Sequence, residues 1–120
     1  MAGPLAHLRV VDLTDVRGAL AARVLGDLGA DVLKVEPASG DPGRLRGPFA
    51  GDVAAPDRGL PFLYRNANKR GARLPAEARA AAERLDGWLS AADLLIENLE
   101  RPQAAALALE PTGCARGTRV

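Results

Sequence analysis

Apolar residues along this chain follow two rhythms, and their alternation outlines a fold before any chemistry is considered. Leu8 to Leu13 sets Val10 and Val11 side by side, which suits a strand covered on both faces rather than one with a wet side. Thr14 or Asp15 can then open a helix by accepting a backbone hydrogen bond, and Ala21, Val24, Leu25 and Leu28 recur at helical spacing up to Gly29. Gly29 can take the left-handed conformation that ends a helix. Val32, Leu33 and Val35 suit a second buried strand, which Pro37 closes after the acidic Glu36. Together these segments predict a β-α-β unit.

From Pro37 to Pro61 the chain is crowded with Gly, Pro, Asp and Arg without period, which predicts a long ordered loop crossing the surface. A second unit begins at Phe62-Leu63-Tyr64, ahead of the polar run Arg65-Asn66-Ala67-Asn68-Lys69-Arg70-Gly71, which looks like a site and not a core. Pro75 suits the first turn of a helix whose apolar face is Ala78, Ala81, Ala82, Leu85, Trp88, Leu89 and Ala92, with Glu77, Arg79, Glu83 and Arg84 mostly opposite. Asp93 to Asn98 reads as a short apolar strand ending in acid and amide groups, and Gln103 to Leu109 as one more helix. Alternating strands and helices imply an α/β fold, a Rossmann-like parallel sheet flanked by helices. We expect one domain over residues 1–110 and an irregular tail over 111–120.

Composition acts mainly by exclusion. A chain of 120 residues can bury one modest core, and 48% apolar with 26% charged residues is ordinary for a globular domain. Sixteen basic against fifteen acidic residues leave a net charge of +1, too weak a field to argue for nucleic acid or an anionic membrane surface. The scarcity of aromatics also counts against nucleic acid. The single cysteine, Cys114, permits no internal disulfide, and no leader-like or long apolar run appears, so a cytoplasmic location is expected. His7 is the lone histidine and reads as a surface residue rather than a metal ligand or triad member. Cys114, in the tail, gives no support for a redox or nucleophilic role.

In open α/β sheets ligands bind beyond the carboxyl ends of the strands. Three segments meet that edge: Thr14 to Gly18, Glu36 onward, and Glu97-Asn98-Leu99. Glu36 sits where a ribose-binding carboxylate would sit, which keeps a dinucleotide-binding module as a minor alternative; the chain has no G-x-G anywhere, so close backbone approach to a pyrophosphate is hard. Glu36 can equally cap backbone groups at the strand exit. Arg44 and Arg46 in the long loop can meet phosphates or simply be solvated.

Four blocks carry a family resemblance: Leu8-Arg9-Val10-Val11-Asp12-Leu13-Thr14, the run Leu25 to Pro37, Asn66-Ala67-Asn68-Lys69-Arg70, and Ala92 to Asn98. In order and spacing they resemble the class III CoA-transferases, the formyl-CoA transferase and carnitine CoA-transferase group, over residues 5 to about 110. The resemblance implies an incomplete N-terminal part of that fold and transfer of coenzyme A from an acyl-CoA to a carboxylic acid through covalent aspartyl intermediates. It implies coenzyme A and acyl-CoA as substrates with no permanently bound cofactor, and a homodimer of interlocked chains.

In the family the nucleophilic aspartate follows the Ile-Glu-Asn block, past another strand and a glycine-rich segment. None of Asp12, Asp15, Asp27, Asp31, Asp41, Asp52, Asp57, Asp86 or Asp93 aligns with it. No catalytic residue is therefore carried over. After Pro111 the family pattern does not continue in Thr112 to Val120, which reads as a truncated or frame-shifted end; a short protein with a polar tail is the other reading. A non-catalytic remnant binding CoA or a protein partner is accordingly the alternative function.

The resemblance carries over binding residues position by position. Val16 and Arg17 match a CoA-contacting turn, although Gly18-Ala19 stands where the family has Gly-Pro and the turn is one residue shorter. Asn66, Asn68, Lys69 and Arg70 match best: amides can read adenine or pantetheine edges, and the two cations suit phosphate. The same run is also readable as a polar turn capping backbone groups. Asn98 and Leu99 match a Glu-Asn-Phe position, with Leu99 in place of the aromatic and Glu100-Arg101-Pro102 in place of a glycine-containing turn.

Overall fold

A computed structural model of the chain describes residues 2–109 and 118–119. Strands β1 (Arg9–Leu13), β2 (Asp31–Glu36), β3 (Lys69–Arg73) and β4 (Leu94–Glu97) form a sheet to which Thr118–Arg119 add a two-residue β5, in the order β3-β2-β1-β4-β5. Every pairing is parallel. Helices α1 (Ala19–Asp27), α2 (Leu60–Arg65), α3 (Ala78–Ser90) and α4 (Arg101–Ala106) supply the crossovers and flanking layers. This is the parallel α/β architecture that the alternating rhythm implies. The irregular tail expected over 111–120, with Cys114, lies outside the described residues except for Thr118–Arg119, which pair beside β4.

Period two sorts each strand between two cores. Val10 and Val32 pack with Ala22 and Ala30 on the α1 side, while Val11, Leu13, Val35 and Leu95 pack with Ala81, Leu85 and Ala104 on the α3 and α4 side. That is why β1 and β2 show adjacent rather than alternating apolar residues. Gly29 has φ 102° and a Cβ there would lie 2.8 Å from Gly3 Cα, so the turn from α1 into β2 requires glycine for conformation and for space.

The first helix differs from its sequence reading in start and in face. Thr14 does not cap it: its N–H and hydroxyl both donate to Asp12 Oδ1, at 2.8 and 2.6 Å. Asp15 does not cap it either, since its carboxylate takes the Arg17 N–H while its backbone oxygen receives Gly18 and Ala19. The helix therefore begins at Ala19 behind Gly18. Ala19 and Ala22 face the sheet, and Leu20, Val24 and Leu28 are left 49%, 50% and 42% exposed. Small residues let the helix axis lie close over the sheet, so the face that packs is not the face with the largest side chains.

The second unit keeps closer to its pattern. Ala81 and Leu85 of α3 are buried, and the helix starts one turn after Pro75 because the Glu77 carboxylate accepts from the N–H groups of Arg79 and Ala80. Helix α4 starts at Arg101, ahead of the expected Gln103, where Gln103 Oε1 reaches back to the Glu100 N–H and Pro102 fits the first turn. Strand β3 forms from the polar Lys69–Arg73 because edge strands tolerate charge. The long loop holds two single 3₁₀ turns, Pro42–Leu45 and Ala50–Asp52, and a bridge between Phe49 and Gly59. Among the described residues no helix is long and apolar enough to cross a membrane.

Candidate functional site

Beneath the carboxyl edge of the sheet runs a set of buried charges; sequence reading anticipated that Glu36 caps a backbone group there, which it does at the Asp41 N–H, but missed the pairs Asp12–Lys69 and Lys34–Asp41. Asp12 in β1 and Lys34 in β2 are register partners and are 0% and 3% exposed. Lys69 Nζ reaches Asp12 Oδ2 at 2.7 Å, Ala19 O at 2.8 Å and Asn66 Oδ1 at 2.9 Å, which accounts for all three ammonium donors. Lys34 Nζ pairs with Asp41 at 3.0 Å and donates to Thr14 O. Glu36 accepts from the Asp41 N–H and from Nε and Nη2 of Arg44, whose Nη1 donates to Pro56 O, and the Arg44 guanidinium lies 4.0 Å over the Phe62 ring. The pairs fasten β1, β2 and β3 to the loop and to α1. A signal was present: Val32, Lys34 and Glu36 share a face at period two, so two charges had to enter the α1-side core with partners.

The ionisation of these groups follows from their surroundings. Burial pushes the Lys69 ammonium below its ordinary value of 10.5, against the opposing hydrogen bond and charge of Asp12. Burial acts to raise Glu36, but the Arg44 guanidinium, the Asp41 N–H and the Arg73 charge outweigh it and hold the carboxyl below 4.5. At the surface, the Arg17 hydrogen bond drives Asp15 far below the usual carboxylate range, helped by Asn98.

Above this layer lies a narrow crevice lined by Val16, Asp41, Gly43, Arg46, Pro61, Phe62, Arg65 and Asn66. Its free volume of about 10 Å³ admits no more than a water. Beside it the turn after β1 is tied to the end of β4: Asn98 Oδ1 accepts from the Asp15 N–H at 3.1 Å and its Nδ2 donates to Asp15 Oδ1 at 2.7 Å. Val16, Asn66 and Asn98 are half-buried, and Arg17 is exposed with its guanidinium on Asp15 at 2.8 Å.

The residues singled out from the sequence thus separate into three groups. Val16, Arg17, Asn66 and Asn98 come together at the carboxyl edge. Lys69 lies beneath them, with its side chain 1% exposed and turned inward. Asn68 and Arg70 face elsewhere: Asn68, at φ 63°, donates to Asp27 at the end of α1, and Arg70 holds Asp31 at the start of β2 through two bonds of 2.8 and 2.9 Å. Consecutive strand residues point to opposite faces, so Lys69 and Arg70 lie on different sides of the sheet. Leu99 packs against the core on the α3 and α4 side. Arg44 is engaged by Glu36, whereas Arg46 lines the crevice.

A parallel α/β domain with a crevice at the carboxyl edge of its central strand defines a ligand-binding class rather than one reaction. The comparisons are more specific. Residues 5–117 match the profile of CoA-transferase family III, and the chain belongs to that family. It is 40% identical over 98 residues to the succinyl-CoA:(R)-benzylsuccinate CoA-transferase subunit BbsE of Thauera aromatica, covering 82% of this chain and 24% of that protein. It is 33% identical over 96 residues to the (R)-2-hydroxy-4-methylpentanoate CoA-transferase of Clostridioides difficile, covering 79% and 24%. Among solved structures, a CAIB/BAIF family protein from Brucella suis superposes with a TM-score of 0.80 at 30% identity, covering 94% of this chain and 30% of that one. The chain spans about a quarter of the length of these curated relatives.

Proposed function

We propose that this chain carries part of the coenzyme A pocket of a CoA-transferase that moves coenzyme A from an acyl-CoA to a free carboxylic acid. The observation that carries the reading is the meeting of Val16, Asn66 and Asn98 at one sheet edge, contributed by three family-matching blocks that lie far apart in sequence. Coenzyme A acts as substrate, and the polypeptide needs no permanently bound cofactor.

In the proposed reaction an aspartate carboxylate attacks the acyl-CoA carbonyl, the C–S bond breaks, and coenzyme A leaves as thiolate. The thiolate then attacks the aspartyl carbonyl of the mixed anhydride, releasing the donor acid and leaving an aspartyl-CoA thioester. The acceptor carboxylate attacks this thioester, and the expelled thiolate attacks the acceptor carbonyl of the new anhydride, giving product acyl-CoA and free aspartate. The nucleophile is proposed to lie outside this chain, because none of its aspartates matches the position the family resemblance gives the nucleophile; Asp12, Asp41 and Asp15 near the edge are in addition engaged by Lys69, Lys34 and Arg17. A cytoplasmic homodimer is the proposed setting.

Calorimetric titration with coenzyme A tests the pocket, and heat at millimolar ligand is expected. No heat removes the reading. The exposed Leu20, Val24 and Leu28 stripe favours a second reading, a non-catalytic module that binds coenzyme A and another protein surface. Binding without transfer to an added acid, measured by chromatography of the thioesters, supports that one.

A further inference from the structure

At the amino edge of the sheet, on the α3 side, the chain holds open space that the carboxyl-edge crevice lacks. A cavity of about 300 Å³ is walled by Val11, Leu33 and Trp88, and a second of about 400 Å³ continues along α3 towards Pro75; Gly87 and Trp88 line both. The first reaches the lower end of the range for small-molecule sites, about 300–1,000 Å³. Val11 is buried, and Leu33 and Trp88 pack half-buried against the same core, so its floor is apolar. Gly87 sits inside α3, where glycine weakens a helix. Beyond its own helical backbone a Cβ there would meet no atom within 4 Å, so no contact among the described residues calls for glycine. The missing side chain leaves the space beside Trp88 open. The rim carries charge. Arg9 and Asp31 are register partners and Arg70 stands across from Leu33, so all three share a face with Val11. Arg70 donates from Nε and Nη2 to Asp31 at 2.8 and 2.9 Å, which fixes its guanidinium and leaves Nη1 without an acceptor among the described residues. With Arg9 also lining the cavity, two cations meet one carboxylate and the rim keeps one positive charge in excess.

We infer that this cavity is a binding site for a small apolar monoanion, a carboxylic acid with a compact hydrocarbon body. The body lies against Val11, Leu33 and Trp88, where it removes apolar surface from water. The carboxylate accepts from the free side of Arg70, which Asp31 holds in place as a positioning residue. A cation would meet the excess positive charge, and a neutral ligand would leave the Arg70 Nη1 to water. The site lies at the opposite end of the strands from Val16 and Asn98, so it stands apart from the coenzyme A reading.

Trp88 is the chain's only tryptophan, so its fluorescence reports on the cavity directly. The test titrates the whole chain with phenylacetate and, as the uncharged control, phenylacetamide. Wild type is expected to show a saturable change with phenylacetate at millimolar probe, and binding of the amide about tenfold weaker, the scale of one charge-assisted contact. R70Q weakens phenylacetate by about tenfold and leaves the amide unchanged. G87L fills the space beside Trp88 and abolishes binding of both, while its melting temperature equals or exceeds that of wild type, because leucine is the better helix former and has room there. Loss of the site is thereby separated from loss of the fold, and equilibrium dialysis checks G87L without relying on the tryptophan. No saturable change in wild type, equal affinity for acid and amide, or phenylacetate binding retained in G87L overturns the site. The coenzyme A titration bears on the carboxyl-edge pocket alone, so either reading can fail while the other stands.

Discussion

Replacing Lys69 with methionine takes one charge from a pair that water does not reach, and the cost follows from what stays behind. Asp12 is 0% exposed and the Lys69 side chain 1%. Asp12 Oδ1 is occupied by the N–H and hydroxyl of Thr14, so Oδ2 loses the hydrogen bond from Lys69 and the carboxylate loses its counter-charge. Ala19 O and Asn66 Oδ1 lose a donor in the same step. Breaking a buried pair from one side costs about 3–5 kcal/mol, out of roughly 5–15 kcal/mol for a whole domain. With a urea slope of about 1.5 kcal/mol/M, that is a fall of about 2–3 M in the unfolding midpoint. D12N should be costly in the same way, because it strands the ammonium. The double variant D12N/K69M keeps an acceptor for Thr14 and buries no charge, so it should be more stable than the sum of the single losses requires, with a coupling of about 1–3 kcal/mol. Urea unfolding of the four proteins, followed by circular dichroism, gives the cycle. A K69M loss below about 1 kcal/mol, or additive single losses, would refute the reasoning and mean that water screens the pair.

Four other expectations follow from separate contacts. Glu36 is held below its ordinary pKa of 4.5, so its contribution to stability is present above that value and is lost as pH falls towards the folded-state pKa; E36Q should flatten the acid limb of a stability-against-pH curve. G29A should lose roughly 1–2 kcal/mol or more, since a methyl there meets Gly3 and the φ of 102° strains an L-residue; a thermal midpoint equal to wild type would contradict it. N98A removes both bonds to Asp15 and should weaken coenzyme A binding more than it lowers the melting temperature, which calorimetry and thermal scans on one sample separate. E77A should cost about 1 kcal/mol by uncapping α3, and hydrogen exchange should show Arg79 and Ala80 amides losing protection first.

How far the sequence reaches depends on whether a residue's state is set by its neighbours in the chain. Strands β1, β2 and β4, helix α3 and the Gly29 turn were legible, because period, caps and a left-handed position are local properties. The two cores were legible in outline for the same reason, through the doubled valines of β1. The packed face of α1 was legible only in part: of Ala21, Val24, Leu25 and Leu28, Leu25 packs against the core while Val24 and Leu28 stay exposed, whereas close approach to the sheet selects Ala19 and Ala22, and that distance is a tertiary quantity.

The site divides along the same line. The segments containing Val16, Asn66 and Asn98 were visible as motifs; parallel pairing of β1 and β4 puts Val16 and Asn98 at one edge, and Asn66 joins them from the end of α2. The roles of the charges were decided only by the fold. Asn68, Lys69 and Arg70 are neighbours in sequence, yet a turn and a two-residue repeat send them to Asp27, Asp12 and Asp31 respectively. By itself the sequence determined β1, β2, β4, α3 and the family, since these rest on local pattern and spacing, whereas α2 and the polar edge strand β3 carry no such pattern. Which cations are buried and which stay at the surface was set by tertiary structure, because a charge's partner is chosen across the sheet and not along the chain.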